Sequence, residues 1–156
     1  MMSDEKLLIH LSFLLGVKTD PFQSIIGHRA SEQKTHSDSI HMTTYPSGYM
    51  IAAWIAMEDI DEDSGPLIYY PGSHNLPYVY SGEAGITLEE VNANQDDLYK
   101  PYRQKYEPLI DEIIEDNKLS EERFIAKKGD VLIWHANLLH GGSMCKNFEL
   151  SRKALV

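Results

Sequence analysis

His36 and Asp38 place an imidazole and a carboxylate two positions apart in the chain. Residues 36–45 are predicted to form a strand, in which side chains two positions apart point to the same face. The pair could therefore present both groups to one metal ion. A His-x-Asp tripeptide also arises often by chance, so the pair alone favours a polar strand face. His41 lies an odd number of positions from Asp38 and is predicted to face the other way, which makes it a poor third ligand.

A third ligand is available at His140, which follows the predicted strand 131–135 and a short turn. A further turn is predicted at Gly141 and Gly142, which leave room for the backbone beside the histidine. Two histidines and one carboxylate with open coordination positions form the facial triad of non-haem Fe(II) oxygenases. An ordinary loop histidine is the alternative interpretation of His140.

Arg152 stands alone among apolar, strand-like residues. An isolated arginine on a strand can extend its guanidinium into solvent or bind a carboxylate through two parallel hydrogen bonds. The residue pattern leaves both interpretations open.

The elements that must position these residues are mostly short strands. Runs rich in β-branched and aromatic residues predict strands, and clusters of Gly, Pro, Ser and Asp between them predict turns. A short helix is predicted within the first fifteen residues, because their leucines recur at helical spacing. The predicted strands are 36–45, 49–57, 66–70, 124–127, 131–135 and 154–156.

An insertion of about forty residues, roughly 81–122, separates the two groups of strands. Its second half is predicted to be a helix, with Pro108 in the first turn and one apolar stripe from Leu109 to Ile114. Its tyrosines could line a pocket or pack the helix. Strands before and after a helical insertion predict a β-sandwich or barrel rather than an alternating β-α-β protein.

The composition excludes several classes of partner. The 156 residues include 14 Lys and Arg against 24 Asp and Glu, a net charge of −10, which is the wrong sign for binding nucleic acid or an anionic membrane.

The one cysteine, Cys145, cannot form an internal disulfide. No stretch reaches the roughly 20 apolar residues that span a bilayer, and residues 7–15 lack the features of a signal peptide. We expect a single domain over residues 1–156 in the cytoplasm.

Seven short motifs occur in an order that resembles the phytanoyl-CoA dioxygenase family of Fe(II)- and 2-oxoglutarate-dependent oxygenases. The resemblance covers most of the chain, from about Leu7 onwards. The motifs are HSD at 36–38, WIAMED at 54–59, SGPL at 64–67, PGSH at 71–74, GDVLIW at 129–134, HGGS at 140–143 and SR at 151–152.

The resemblance implies a mainly β fold, the double-stranded β-helix or cupin-like jelly roll, with a helical insertion and a short N-terminal helix. It implies that His36, Asp38 and His140 are both the metal ligands and the catalytic residues, and that the metal is Fe(II). An aspartate at position 38 is typical of family members that hydroxylate their substrate, since relatives that halogenate carry a small residue there.

The resemblance also assigns the cosubstrate site. Arg152 lies twelve residues after His140 and is expected to bind the C5 carboxylate of 2-oxoglutarate. Trp54 is expected to line the cosubstrate, and Ser143 is a weaker candidate for a second hydrogen bond to it. Ser73 and His74 are interpreted as structural residues or as residues that support the site from behind, rather than as a nucleophilic pair.

The implied reaction consumes O₂ and 2-oxoglutarate, releases succinate and CO₂, and hydroxylates an unactivated C–H of a small molecule. Two alternatives stay open. One is an inactive or shortened metal-binding jelly roll that serves as a sensor or scaffold. The other is a cupin-type metal-dependent hydrolase or isomerase, which would use the same three ligands without needing Arg152.

The chain is short for this family, with 35 residues before His36 and four after Arg152. The segment 50–57 is nearly apolar on both faces, which predicts that something covers each face. We therefore expect a chain truncated at both ends, a shortened family member, or a homo-oligomer in which a second copy covers an exposed sheet.

Overall fold

Two antiparallel sheets form the framework of the computed structural model, which describes residues 4–156. The strands are β1 (Ile26–Gly27), β2 (Ile51–Ala56), β3 (Leu67–Tyr69), β4 (Glu122–Phe124), β5 (Val131–His135), β6 (His140–Gly142) and β7 (Ala154–Leu155). One sheet has the order β1-β7-β2-β5 and the other has the order β4-β3-β6. Neighbouring strands are distant in sequence, so each sheet combines segments from separate parts of the chain.

Within the described residues, three α-helices lie outside the sheets: α1 (Glu5–Leu15), α2 (Leu88–Ala93) and α3 (Glu107–Asp116). The prediction of an N-terminal helix is confirmed, since the Asp4 carboxylate caps α1 and Gly16 ends it with a positive φ of 74°. Helix α2, a π-helical turn at Tyr102–Tyr106 and α3 all lie between β3 and β4, in the segment where the sequence predicts the helical insertion. No helix among residues 4–156 is long and apolar enough to cross a membrane.

The apolar residues of β2 divide between two environments. Ala52, Trp54 and Ala56 alternate along one face and pack into the core between the sheets, with Trp134 of β5 among their neighbours. The opposite face carries Ile51, Ala53 and Ile55, which are only half-buried and line a cavity beneath α1. The sequence predicts that both faces of segment 50–57 are covered. The core face of β2 is fully covered, and the opposite face is covered only in part.

A second cluster of buried residues forms around α3. Ile110 of α3 and Tyr106 of the π-helical turn are almost fully buried, and they pack with Tyr70 and Leu139. The predicted apolar stripe therefore faces the protein.

The predicted strand 36–45 is wrong. His36 forms one isolated bridge with His140, and a 3₁₀ turn over Asp38–Ile40 follows at once. The carbonyl of Asp38 accepts the N–H groups of His41 and Met42, both at 2.9 Å. Bonds within the turn therefore replace the ladder that a strand would need, and strand alternation does not explain why His36 and Asp38 face each other.

Two further predictions require correction, and one strand was missed. The glycines predicted as a turn, Gly141 and Gly142, belong to strand β6 and pair with Ile68 and Leu67 of β3. The predicted strand 124–127 is displaced, because β4 covers Glu122–Phe124. The two-residue strand β1 was not predicted, since so short a segment carries no alternation.

Candidate metal centre

Two backbone hydrogen bonds bring the first and last predicted ligands together. The N–H of His36 donates to the carbonyl of His140, and the N–H of His140 donates to the carbonyl of His36, each at 2.9 Å. The two imidazole rings lie side by side, with centroids 4.6 Å apart. Asp38 begins the 3₁₀ turn that follows His36. The turn directs its carboxylate back towards both rings.

The three predicted ligands converge on one point. Asp38 Oδ1 lies 3.5 Å from His140 Nε2 and 4.0 Å from His36 Nε2. One ligand atom from each of the three residues lies within 4.8 Å of the others. Among residues 4–156, no other group of three His, Cys, Asp or Glu side chains has this arrangement. The spacing is close enough for the three residues to share one ion.

Hydrogen bonds to backbone carbonyls set the tautomer of both histidines. His36 Nδ1 lies 2.8 Å from the carbonyl oxygen of Lys34, and His140 Nδ1 lies 2.9 Å from that of Leu138. A carbonyl oxygen can only accept, so each Nδ1 carries the hydrogen and each Nε2 keeps a free lone pair. A hydrogen bond at the second nitrogen is typical of metal-binding histidines.

The buried position of His36 favours its neutral form. Desolvation, and then the proximity of His140, lower the pKa of His36 to about 4. The imidazole is therefore uncharged near neutral pH, which is the form that binds a metal.

The carboxylate of Asp38 is oriented by an indole. Trp134 Nε1 donates a 2.9 Å hydrogen bond to Asp38 Oδ2, which leaves Oδ1 facing the two histidines. Trp134 is buried on the core face of β5, opposite Ala52 of β2. It lies in the GDVLIW motif, but nothing in the sequence indicated this contact across 96 positions.

A tyrosine from the insertion holds the backbone between the two N-terminal ligands. The hydroxyl of Tyr106 accepts a 3.0 Å hydrogen bond from the N–H of Ser37, and the side chain is fully buried. Burial raises the pKa of Tyr106, so the phenol stays protonated. The sequence left open whether Tyr106 packs the helix or lines a pocket. The structure shows in addition its hydrogen bond to Ser37, which lies between His36 and Asp38.

Arg152 is a buried cation that has no acidic partner in the described part of the chain. The residue is 7% exposed, Nη1 donates to the carbonyl of Gly65, and Nε has no hydrogen-bond partner among residues 4–156. Its Cζ lies 6.0 Å from the ring centroid of Trp54. Burial lowers the pKa of Arg152. A buried guanidinium that no carboxylate neutralises is costly, and this favours an anion supplied by a ligand.

The remaining predicted residues occupy distinct positions. Ser143 Oγ donates to the carbonyl of Pro66 at 2.9 Å, so its contact with a cosubstrate stays a prediction. The His41 ring lies 5.4 Å from the His36 ring but contributes no atom to the three-ligand group, in agreement with its prediction as a poor ligand. Ser73 bonds the backbone of Tyr70 and Leu139, which confirms its structural role.

Comparison with curated proteins identifies relatives that are much longer than this chain. The mouse (Mus musculus) peroxisomal phytanoyl-CoA dioxygenase is 27% identical over 133 residues, which are 83% of this chain and 34% of the mouse protein. The zebrafish (Danio rerio) phytanoyl-CoA dioxygenase domain-containing protein 1 is 28% identical over 112 residues, or 70% of this chain and 33% of that protein. The chain therefore spans about a third of these relatives.

Solved structures share the fold at low sequence identity. EctD from S. alaskensis, in its apo form, superposes with a TM-score of 0.66 at 20% identity, over 98% of this chain and 49% of EctD. The epimerase SnoN, crystallised with Fe³⁺, alpha ketoglutarate and nogalamycin RO, has a TM-score of 0.61 at 17% identity, over 97% of this chain and 54% of SnoN.

The model of the phytanoyl-CoA dioxygenase (PhyH) family matches residues 9–154, which is nearly the whole chain and contains all three converging ligands and Arg152. The chain belongs to the phytanoyl-CoA dioxygenase family.

Proposed function

We propose that this chain forms the jelly-roll core of an Fe(II)- and 2-oxoglutarate-dependent oxygenase that hydroxylates a C–H of a small molecule. The observation that carries the proposal is the combination of the His36, Asp38 and His140 group with the buried Arg152, which no acid neutralises. A metal-dependent hydrolase or isomerase would use the three ligands but would give Arg152 no anion to bind.

The donor set fits Fe(II). Two neutral imidazole nitrogens and one carboxylate oxygen are the ligands of the facial triad, which leaves coordination positions for other molecules. Iron bound here with 2-oxoglutarate would supply the activation of O₂ that oxidises an unactivated C–H. The three side chains would hold the ion, while the backbone bonds to His36 and His140 keep their Nε2 atoms free for it.

The protein would fix the cosubstrate mainly through Arg152. A guanidinium binds a carboxylate through charge-assisted hydrogen bonds, and the unpartnered Nε is available to donate one of them. Trp54 lies beside the guanidinium and would supply an apolar wall. This arrangement would orient 2-oxoglutarate and exclude water from the site.

The direct test measures succinate formed from 2-oxoglutarate when Fe(II) and O₂ are supplied without a substrate. We expect slow turnover by the wild type and none by His36→Ala. The exposed histidine of α1 provides the control, since His10→Ala should retain turnover. Equal turnover by the wild type and His36→Ala would exclude this site as its source.

A second test separates the oxygenase from the other metal-binding alternatives. We expect Arg152→Gln to weaken 2-oxoglutarate binding to the Mn(II)-loaded protein about 100-fold, since a bond to a charged group contributes roughly 1.5–3 kcal/mol. Calorimetry should show unchanged Mn(II) affinity in the same variant. A wild type that binds Mn(II) but not 2-oxoglutarate would instead support the sensor, scaffold, hydrolase or isomerase interpretations.

A further inference from the structure

A cavity of about 540 Å³ lies between α1 and β2. Helix α1 contributes Leu7, Leu8, Leu11 and Leu15 to its wall, and β2 contributes Ile51 and Ala53. We call it the α1–β2 cavity. Its volume is within the range of sites that bind small molecules.

The α1–β2 cavity reaches the candidate metal centre through Asp38, which lies in its wall. The Asp38 side chain is 24% exposed, whereas the His36 and His140 side chains are 5% and 7% exposed. Among the three ligands, Asp38 is therefore the accessible one. A molecule in this cavity can approach the metal position past the carboxylate.

An unpaired stretch of β2 explains how the cavity extends from one face of the sheet to the other. Strand β5 pairs with β2 along Ile51–Ile55, but on the other side β7 pairs only with Ile55 and Ala56. The wall includes Ala52 from the core face as well as Ile51 and Ala53 from the opposite face. The cavity thus passes the free edge of β2 towards the core face, where Trp134 and Asp38 are bonded.

The charges around the cavity limit what can bind. Apart from Asp38, the charged residues described in its wall are Lys18 and Asp20, whose side chains are 85% and 78% exposed. This pair therefore lies at the solvent-facing rim, and the described wall next to Asp38 carries no cation. A phosphate or carboxylate bound beside Asp38 would lie near a like charge without a partner, and burying an unpaired charge is costly. An apolar group gains free energy by leaving water.

We propose that the α1–β2 cavity binds the molecule to be oxidised, and that the part of this molecule held there is uncharged and predominantly apolar. The inference rests on the proposed function, because it takes the metal at Asp38 as the oxidising centre. It adds the substrate class and the route by which the substrate reaches the metal.

The test uses 1-octanol as the probe and the Mn(II)-loaded protein. Mn(II) held by the three ligands should broaden the proton resonances of bound octanol in NMR spectra, whereas Zn(II) should not. Octyl phosphate, which has the same chain and an anionic head, should bind the metal-free protein at least about 10-fold more weakly than octanol in calorimetry, since it then finds no metal to coordinate and lies near the Asp38 carboxylate.

Variants locate the binding. Ala53→Phe should fill the cavity and abolish octanol broadening, and Leu15→Trp serves the same purpose if the first variant fails to fold. The exposed residue Ile125 is the control, since Ile125→Phe should leave octanol binding unchanged.

Three results would overturn the inference: octanol that is not broadened by bound Mn(II), octyl phosphate that binds the metal-free protein as well as octanol does, or octanol binding that survives both filling variants. Octanol affinity that falls as protein concentration rises would instead show that a second copy of the chain occupies the cavity.

Succinate formation is unaffected by any of these results, so the inference can fail while the proposed function stands. Absence of Mn(II) binding that depends on His36 would contradict the proposed function itself.

Discussion

The two oxygens of Asp38 have different surroundings, and the difference determines which of them can bind a metal. Oδ2 accepts the indole hydrogen of Trp134, while Oδ1 faces the histidines. A carboxylate held in this way favours binding through one oxygen, which keeps another coordination position available. We therefore predict that Trp134 positions the carboxylate of the candidate metal centre.

We expect Trp134→Phe to weaken Mn(II) or Co(II) binding about 10-fold to 100-fold, as is usual when a hydrogen-bond partner of a metal ligand is removed. Calorimetry on the purified protein measures the affinity. Trp54→Phe is the matched control, because Trp54 is equally buried but has no bond to Asp38. Similar metal affinity in Trp134→Phe and the control would show that the indole bond does not orient the carboxylate.

The lowered pKa of His36 predicts how the metal-free protein responds to acid. The folded protein binds a proton at His36 only near pH 4, whereas the unfolded chain binds it near pH 6.5. Between these values the unfolded state holds more protons, so the free energy of unfolding falls as the pH is lowered from 6.5 towards 4.

Urea denaturation of the metal-free protein across this pH range tests the prediction. We expect His36→Asn to show a shallower pH dependence, by up to about one proton, because it removes the titrating group. Identical pH dependence in the wild type and His36→Asn would mean that His36 titrates alike in both states.

At the scale of elements, β6 and the segment that carries His36 depend on close backbone packing. A Cβ added to Gly141 would lie 2.8 Å from the carbonyl oxygen of Gln33, and one added to Gly142 would lie 3.0 Å from the nitrogen of Glu32. The glycines thus allow residues 32–36 to lie directly on β6, which brings His36 to its bridge with His140.

We expect Gly141→Ala to lower the free energy of unfolding by about 1–3 kcal/mol, because the new methyl group meets backbone atoms that must move. The same shift should displace His36 and weaken metal binding. Gly82→Ala is the control, since its Cβ would meet no atom within 4 Å, and a change below about 0.5 kcal/mol is expected. Chemical denaturation and metal titration measure the two effects. Normal metal affinity in Gly141→Ala would contradict the link between β6 packing and the ligands.

At the scale of the whole molecule, large apolar side chains on α1 and the following segment are exposed. Phe13 of α1 is 84% exposed and Ile26 is 69% exposed, and neither residue lines the α1–β2 cavity. Strand β1, which contains Ile26, is also at the edge of its sheet, where unpaired backbone groups favour association with another chain. We propose that a second copy of the chain covers this apolar surface.

Light scattering over a range of protein concentrations tests this proposal. We expect the wild type to self-associate and the double variant Phe13→Ser with Ile26→Ser to shift towards the monomer, because it removes apolar area that association would bury. Phe148→Ser provides a control at another exposed phenylalanine, 65% exposed in the wild type, and should leave association unchanged. A wild type that is monomeric at every concentration would exclude the proposal.

Local patterns in the sequence predicted a large part of the fold. The helical spacing of the leucines in α1, the apolar stripe of α3 and the β-rich runs of β2, β3 and β5 are properties of adjacent residues, and all five elements form where they were predicted. Local patterns failed at residues 36–45 and at Gly141–Gly142. There, a turn and a close backbone approach depend on partners elsewhere in the chain.

The sequence by itself determined which residues could form the metal centre and the cosubstrate site, because His36, Asp38, His140 and Arg152 are residue types with a specific chemistry in a recognisable order. Only the tertiary structure decided how they are held. The bond from Trp134 to Asp38 spans 96 positions and that from Ser37 to Tyr106 spans 69, and the cavity that reaches Asp38 forms only where α1 lies over β2. These features depend on strand register and packing between distant segments, which no local pattern of residues specifies.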